Sequence, residues 1–246
     1  MQSVMLGCIS GQVNASEKTA VSIKHRHRKL RLNFQRLISQ EEYLSAIRAI
    51  FWDVGGVLLT NAWDHTQRTQ ALDRFQLEPK EFHERHEMVV SSFERGKITL
   101  DEYLDRTVFY REQSFTRNEF RDYMLSLSQP LPGMLEFAQS LTNTGRFLMG
   151  TINNESRELN YYRMEKFGLR NTFRLFFSSC FVGLRKPERD IYRLALETTQ
   201  IPAEECSFVD DRSINVEAAA QMGMHAIEMR TLDQLKSDLG KLGVSP

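Results

Sequence analysis

The 246-residue chain carries 32 lysines and arginines against 32 aspartates and glutamates, so its formal net charge is zero. That balance gives no electrostatic case for binding nucleic acid or a membrane surface, and no apolar run approaches the roughly 20 residues that span a bilayer. Hydrophobic residues at 41% and charged residues at 26% are ordinary for a soluble globular protein. Cys8, Cys180 and Cys206 are far apart, which argues against a disulfide framework or a zinc site and for a reducing, cytoplasmic setting.

Residues 1–45 read as a basic N-terminal extension. Lys18, Lys24, Arg26, Arg28, Lys29, Arg31 and Arg36 outnumber Glu17, Glu41 and Glu42. A peripheral segment, partly helical over 30–44, is expected, with a targeting peptide or a nucleic-acid arm as alternatives. An apolar run then leads through Phe51 and Trp52 to Asp53, followed by Val54, Gly55 and Gly56 and a second apolar run to Leu59. A strand ending in one carboxylate and a Gly-rich turn is how an open α/β sheet presents a group at its carboxyl edge. Gly55 and Gly56 allow the backbone close approach to a bound group.

Residues 62–130 contain no convincing strand and read as a helical insert. Helices are predicted from Thr66 to Phe75, from Pro79 with proline in the first turn, from Leu100 capped by Thr99 with Glu102, and over 117–126 capped near Thr116. Phe82, Met88, Val89, Val90 and Phe93 are expected to form one apolar stripe. From Pro130 the pattern becomes alternating. Helices near 134–142, 156–167, 189–199 and 214–222 separate short apolar segments at 147–150, 175–179, 206–209 and 225–229. This predicts a Rossmann-like, three-layer α/β/α parallel sheet, with a core domain over 46–61 and 131–246 and the insert after the first strand.

The polar groups at the predicted strand ends are Asp53, Thr151 with Asn153, Lys186 and Asp210 with Asp211. In a parallel sheet these ends share one edge. Several carboxylates in one crevice repel each other unless a cation offsets them. An oxygen-only set without His or Cys suits Mg²⁺. Lys186 and the Thr151 hydroxyl then serve phosphoryl oxygens, and a carboxylate can attack phosphorus.

The motifs 51–58, Thr151, Lys186-Pro187 and 208–211 resemble the haloacid dehalogenase-like (HAD) superfamily, over roughly 47–230. The insert resembles the small helical cap of its subfamily I, and Arg185-Lys186-Pro187 with Asp210 to Ala219 resembles its sugar-phosphatase branch. The resemblance implies a Mg²⁺-dependent phosphatase acting on a small phosphorylated metabolite, with Asp53, Thr151 and Lys186 catalytic. It also implies Gly55, Gly56, Thr151, Asn153 and Lys186 as substrate contacts, and Asp53, the Gly55 carbonyl, Asp210 and Asp211 as metal contacts. Two departures stand out. Gly55 replaces the aspartate that protonates the leaving group in most family phosphatases, with His65, His83 and His86 as possible substitutes. Ile152 stands where an asparagine often follows the motif hydroxyl, a place Asn153 would fill. A catalytically weak binding protein and a 2-haloacid dehalogenase stay open as alternatives, the second disfavoured by the Asp210-Asp211 pair. A phosphonate-cleaving relative would need a lysine such as Lys80 or Lys97. Monomer and homodimer are both compatible.

Overall fold

The computed structural model describes residues 46–246; the expected basic extension and its helix over 30–44 lie outside the described residues. Five strands form one all-parallel sheet in the order β3-β2-β1-β4-β5. The strands are β1 (Ala49–Trp52), β2 (Leu148–Asn153), β3 (Leu175–Ser178), β4 (Cys206–Asp210) and β5 (His225–Glu228). β1 is central and buried on both faces, as its continuous apolar sequence requires. Trp52 pairs with Thr151 on one side and with Val209 on the other. The chain leaves β1 toward β2, then returns across it to β4. The order therefore reverses between β1 and β4, which opens a crevice at their carboxyl ends.

Helices cover both faces. Beneath Ile50, Trp52 and Val209 lie α5 (Met134–Asn143), the short α7 (Leu169–Thr172) and α11 (Leu232–Lys241), packed through Phe137, Leu141, Leu235 and Leu239. On the opposite face, Phe51, Ile152 and Phe208 meet α9 (Arg189–Thr199) and α10 (Ser213–Gln221) through Ile191, Tyr192 and Ala219. The remaining helix between β2 and β3 is α6 (Arg157–Lys166), and α8 (Ser179–Val182) follows β3. The expected three-layer α/β/α architecture is thus present. The helix over 232–241 has no counterpart in the sequence reading, although Thr231 and Gln234 form a capping box at its start.

Four helices lie between β1 and α5: α1 (His65–Phe75), α2 (Pro79–Glu94), α3 (Leu100–Thr107) and α4 (Arg117–Ser126). They share their own apolar cluster, including Leu72, Phe82, Phe93, Leu104 and Phe120. Pro79 occupies the first turn of α2, and Thr99 with Glu102 and Thr116 with Glu119 close capping boxes, as expected from sequence. One expectation fails. Met88 is 86% exposed while Phe82, His86, Val89 and Phe93 are buried. The buried set follows the 3.6-residue period, and Met88, six residues beyond Phe82, falls on the outer face. The insert is anchored at the end of α2. Arg185 pairs with Glu94 at 2.6 Å, Ser179 Oγ donates to the Glu94 carbonyl at 2.6 Å, and Arg95 Nη1 donates to the Gly183 carbonyl at 2.6 Å.

Candidate active site

Asp53 follows β1 directly, and its backbone N–H donates to the Val209 carbonyl at 2.8 Å, which places it beside the end of β4. Its Oδ1 accepts from the Val54 N–H and from Lys186 Nζ, both at 2.8 Å. Among the described residues, no hydrogen bond to Oδ2 is made. Lys186 Nζ lies closer still to Asp210 Oδ2, at 2.6 Å, so one buried ammonium bridges two buried carboxylates. Asp210 also accepts from the Arg212 N–H and the Asn215 amide, both at 2.9 Å on Oδ1.

Asp53, Asp210 and Asp211 bring carboxylate oxygens within 4.8 Å of one another. Burial pushes the Asp53 carboxyl up to about 7; Lys186 opposes the rise, and Asp210 and Asp211 add to it. Asp211 is also raised, by burial and by the Asp210 charge. Burial works against the charged Lys186, but the two carboxylates outweigh it and raise the amine's pKa. One cation among three acids leaves negative charge uncompensated. In addition, Asp211 Oδ1 is buried without a hydrogen-bond partner. The three acids therefore fit a hard divalent cation such as Mg²⁺.

The glycine loop is shaped around these acids. Gly56 has φ +77°, and a Cβ there would lie 2.2 Å from Asp211 Oδ2, so only glycine allows the carboxylate this close. A Cβ at Gly55 would lie 3.0 Å from Asn61 Oδ1 and 3.4 Å from Arg163 Nη1. Arg163, from α6, is fully buried and holds Glu155 at 2.6 Å, Ser128 Oγ at 2.9 Å and the Thr60 carbonyl at 2.8 Å. Burial pushes Glu155 up to about 7 despite this pairing.

Above Asp53 lies a cleft of about 380 Å³ between the sheet edge and the insert. Asp53, Gly55 and Lys186 line it from below, and Trp63, Arg68, His86 and Phe93 line it from the insert. Thr151 and Asn153, like Gly56, Asp210 and Asp211, are not among its lining residues. β2 continues to Asn153, so Thr151 lies inside the strand. Register partners of a parallel pair project to the same face, which sends Thr151 with Trp52 into the core. Its Oγ1 is buried without a partner. Asn153 is equally buried, donating to Asn160 Oδ1 at 3.3 Å and accepting from Ser178 Oγ at 2.8 Å. Asn154 lines the cleft, accepts the Lys186 backbone N–H at 2.8 Å and donates to the Lys186 carbonyl at 2.9 Å. Thr151→Val is accordingly expected to leave turnover within about threefold of the parent. It should leave stability equal or slightly higher, because an unpartnered buried hydroxyl carries a penalty of about 1–3 kcal/mol. Steady-state kinetics and a thermal melt check this; a loss of a hundredfold would place Thr151 in the site.

A family model described as haloacid dehalogenase-like hydrolase matches residues 47–223. The chain belongs to the haloacid dehalogenase-like hydrolases. Among relatives of this HAD hydrolase is flavin mononucleotide hydrolase 1 of Arabidopsis thaliana, 30% identical over 161 residues, which are 65% of this chain and 64% of the plant protein. Bifunctional epoxide hydrolase 2 of Sus scrofa is 25% identical over 215 residues, 80% of this chain and 39% of that one. The HAD chain thus spans less than two thirds of either relative. A HAD family enzyme of Bacteroides thetaiotaomicron shares the fold, with a TM-score of 0.67 at 19% identity over 77% of this chain and 98% of that one. That bacterial enzyme has also been solved with magnesium and inorganic phosphate. Among the described residues, no helix is long and apolar enough to cross a membrane.

Proposed function

We propose that this HAD hydrolase is a Mg²⁺-dependent phosphomonoesterase acting on a small phosphorylated metabolite, sugar phosphates included, with Asp53 as nucleophile. The observation that carries the reading is the convergence of Asp53, Asp210 and Asp211 with Lys186 bridging two of them. The name of the plant relative, a hydrolase of a phosphate ester, and the magnesium and phosphate bound by the bacterial enzyme support it. The acidic trio also speaks against a 2-haloacid dehalogenase, whose chemistry needs no cation.

Asp53, the Gly55 carbonyl, Asp210 and Asp211 would hold the ion, which supplies positive charge to the carboxylates and to the transferring phosphoryl group. Asp53 Oδ1 is fixed by Lys186 and the Val54 N–H, which leaves Oδ2 to attack phosphorus. A bond forms from Oδ2 to phosphorus, and the bond from phosphorus to the ester oxygen breaks. Water then attacks the aspartyl-phosphate at phosphorus and frees Asp53. Lys186 stabilises the negative charge at the transferring group, and Asn154 positions Lys186 through its backbone. We assign residues 62–130 the role of a cap that shields Asp53 from bulk water.

No carboxylate stands at position 55 to protonate the leaving oxygen. A general acid contributes about 10²–10⁴ in rate, so ester oxygens that depart without a proton should be favoured. The test is phosphate release from an aryl phosphate, an anomeric sugar phosphate and an alkyl phosphate, with Mg²⁺ or with chelator. Release that requires Mg²⁺, with the aryl ester ahead of the alkyl ester by at least about 10²-fold, is the expected result. Release unaffected by chelator, or none from any ester, would overturn the reading.

A further inference from the structure

The wall of the cleft contributed by the insert carries a hydrogen-bond chain that the proposed reaction does not use. Trp63 Nε1 lies 3.0 Å from Tyr103 Oη, and Tyr103 Oη lies 2.8 Å from His86 Nδ1. An indole N–H can only donate, so the tyrosine oxygen accepts from Trp63 and keeps its own proton available for His86 Nδ1. With Tyr103 donating to Nδ1, the proton of the neutral ring resides on Nε2. No acceptor for Nε2 occurs among the described residues, and His86 lines the cleft. Burial lowers the His86 pKa to about 3, with the Arg68 and His83 charges adding to it, so the ring is a donor and not a proton source.

Beside it stands Arg68 of α1. Its Nη1 donates to the Trp63 carbonyl at 2.7 Å, its Nε is buried without a partner, and among the described residues no carboxylate pairs with it. The acids lining the upper cleft are committed elsewhere or lie at its mouth. Asp64 caps α1 through the Gln67 N–H at 3.1 Å, Glu94 pairs with Arg185 at 2.6 Å, and Glu87 is exposed. A guanidinium whose Nε is unpartnered and an imidazole thus face the cleft opposite the acidic floor, with donors left to offer beyond the one bond to the Trp63 carbonyl.

We propose that Arg68 and the Nε2–H of His86 form a recognition site for an anionic oxygen on the non-reacting part of the substrate. Resting on the phosphomonoesterase reading, this makes the substrate class a phosphate ester that bears a second anionic group, a carboxylate or a second phosphoryl. Arg68 and His86 are specificity-determining residues. Tyr103 and Trp63 are positioning residues that set the His86 tautomer.

Two measurements test it. The first is calorimetric binding, in Mg²⁺, of 3-phosphoglycerate and of glycerol 3-phosphate, which lacks the carboxylate, to the Asp53→Asn protein. The acid should bind at least about tenfold more tightly, the size of one hydrogen bond to a charged group. That preference should collapse to within about threefold on adding Arg68→Gln or His86→Phe, and survive in His86→Gln, which keeps a donor. Equal binding of the two ligands, or a preference that persists in both variants, overturns the proposal. Equal binding together with Mg²⁺-dependent turnover of an aryl phosphate defeats the recognition site alone; no binding of either ligand defeats both readings. The second is the imidazole ¹⁵N spectrum of the unliganded wild-type protein. A neutral His86 with its proton on Nε2 at pH 7, shifting to a tautomer mixture in Tyr103→Phe, is expected. A proton on Nδ1, or an imidazolium, overturns it.

Discussion

Lys186→Met is expected to lower stability by about 3–5 kcal/mol and to reduce turnover by at least about 10²-fold. The Lys186 side chain is 1% exposed, 2.8 Å from Asp53 and 2.6 Å from Asp210. Methionine fills much of the same volume but leaves both carboxylates buried without a cation, and breaking a buried ion pair from one side is far costlier than its net worth. For a folded unit of about 200 residues, the melting temperature should fall by roughly 6–20 °C. The sign of the pH dependence follows from the acids. Carboxyls whose folded pKa is raised cost stability once pH exceeds their unfolded value, so the deficit should widen as pH rises from 5 to 8. Added Mg²⁺ should recover part of it by binding the folded state. Thermal melts across pH, with and without Mg²⁺, check the prediction. A melting temperature within a degree or two of the parent would show that Lys186 does not hold the trio together.

Asp53→Asn should have the opposite profile. Turnover should fall by at least about 10³-fold, because the amide cannot act as the attacking group. Metal-free stability should be unchanged or higher. Burial and the neighbouring acids raise the Asp53 pKa, so the ionised carboxylate is a strained member of the cluster, and Asn removes its charge while Lys186 keeps Asp210. A site that is destabilising to the fold yet needed for reaction is the usual price of function. Kinetics combined with a metal-free melt would show the split. A variant that loses stability and activity in parallel would indicate a structural role for Asp53 and not a nucleophilic one.

These contrasts bear on what the sequence discloses. The sheet was legible because each strand is a short apolar run between helix signals, and the caps at Thr99 and Thr116 state where helices begin. Asp53 and Asp210 were legible because each sits at or next to a strand end, where the parallel sheet forces convergence; Lys186 lies beyond β3 on the far side of α8, not just after the strand, and was legible from the Lys186-Pro187 motif. Thr151 lies inside β2 and not at its end, because strand length is not written in the apolar run. Thr151 pairs with both β1 and β3, and Ile152 and Asn153 pair with β3, and a shift of one residue reverses which side chain faces the cleft. Had the two asparagines at 153 and 154 been read as alternating faces of one strand end, Asn154 would have been the candidate. Arg163, Glu155 and the Trp63–Tyr103–His86 chain were illegible for another reason. Arg163 bonds to residues up to 103 positions away, and the Trp63–Tyr103–His86 chain depends on α2, α3 and the loop before α1 meeting. Neither leaves a local pattern.

The central claim is that the phosphoryl group passes through Asp53, and the most direct measurement is to trap it there. Turnover of a ³²P-labelled ester would be stopped with acid and the labelled residue located by mass spectrometry of the peptides. Label is expected on the peptide containing Asp53, dependent on Mg²⁺ and absent from Asp53→Asn. Turnover without any trapped label on Asp53, or label on another side chain, would contradict it.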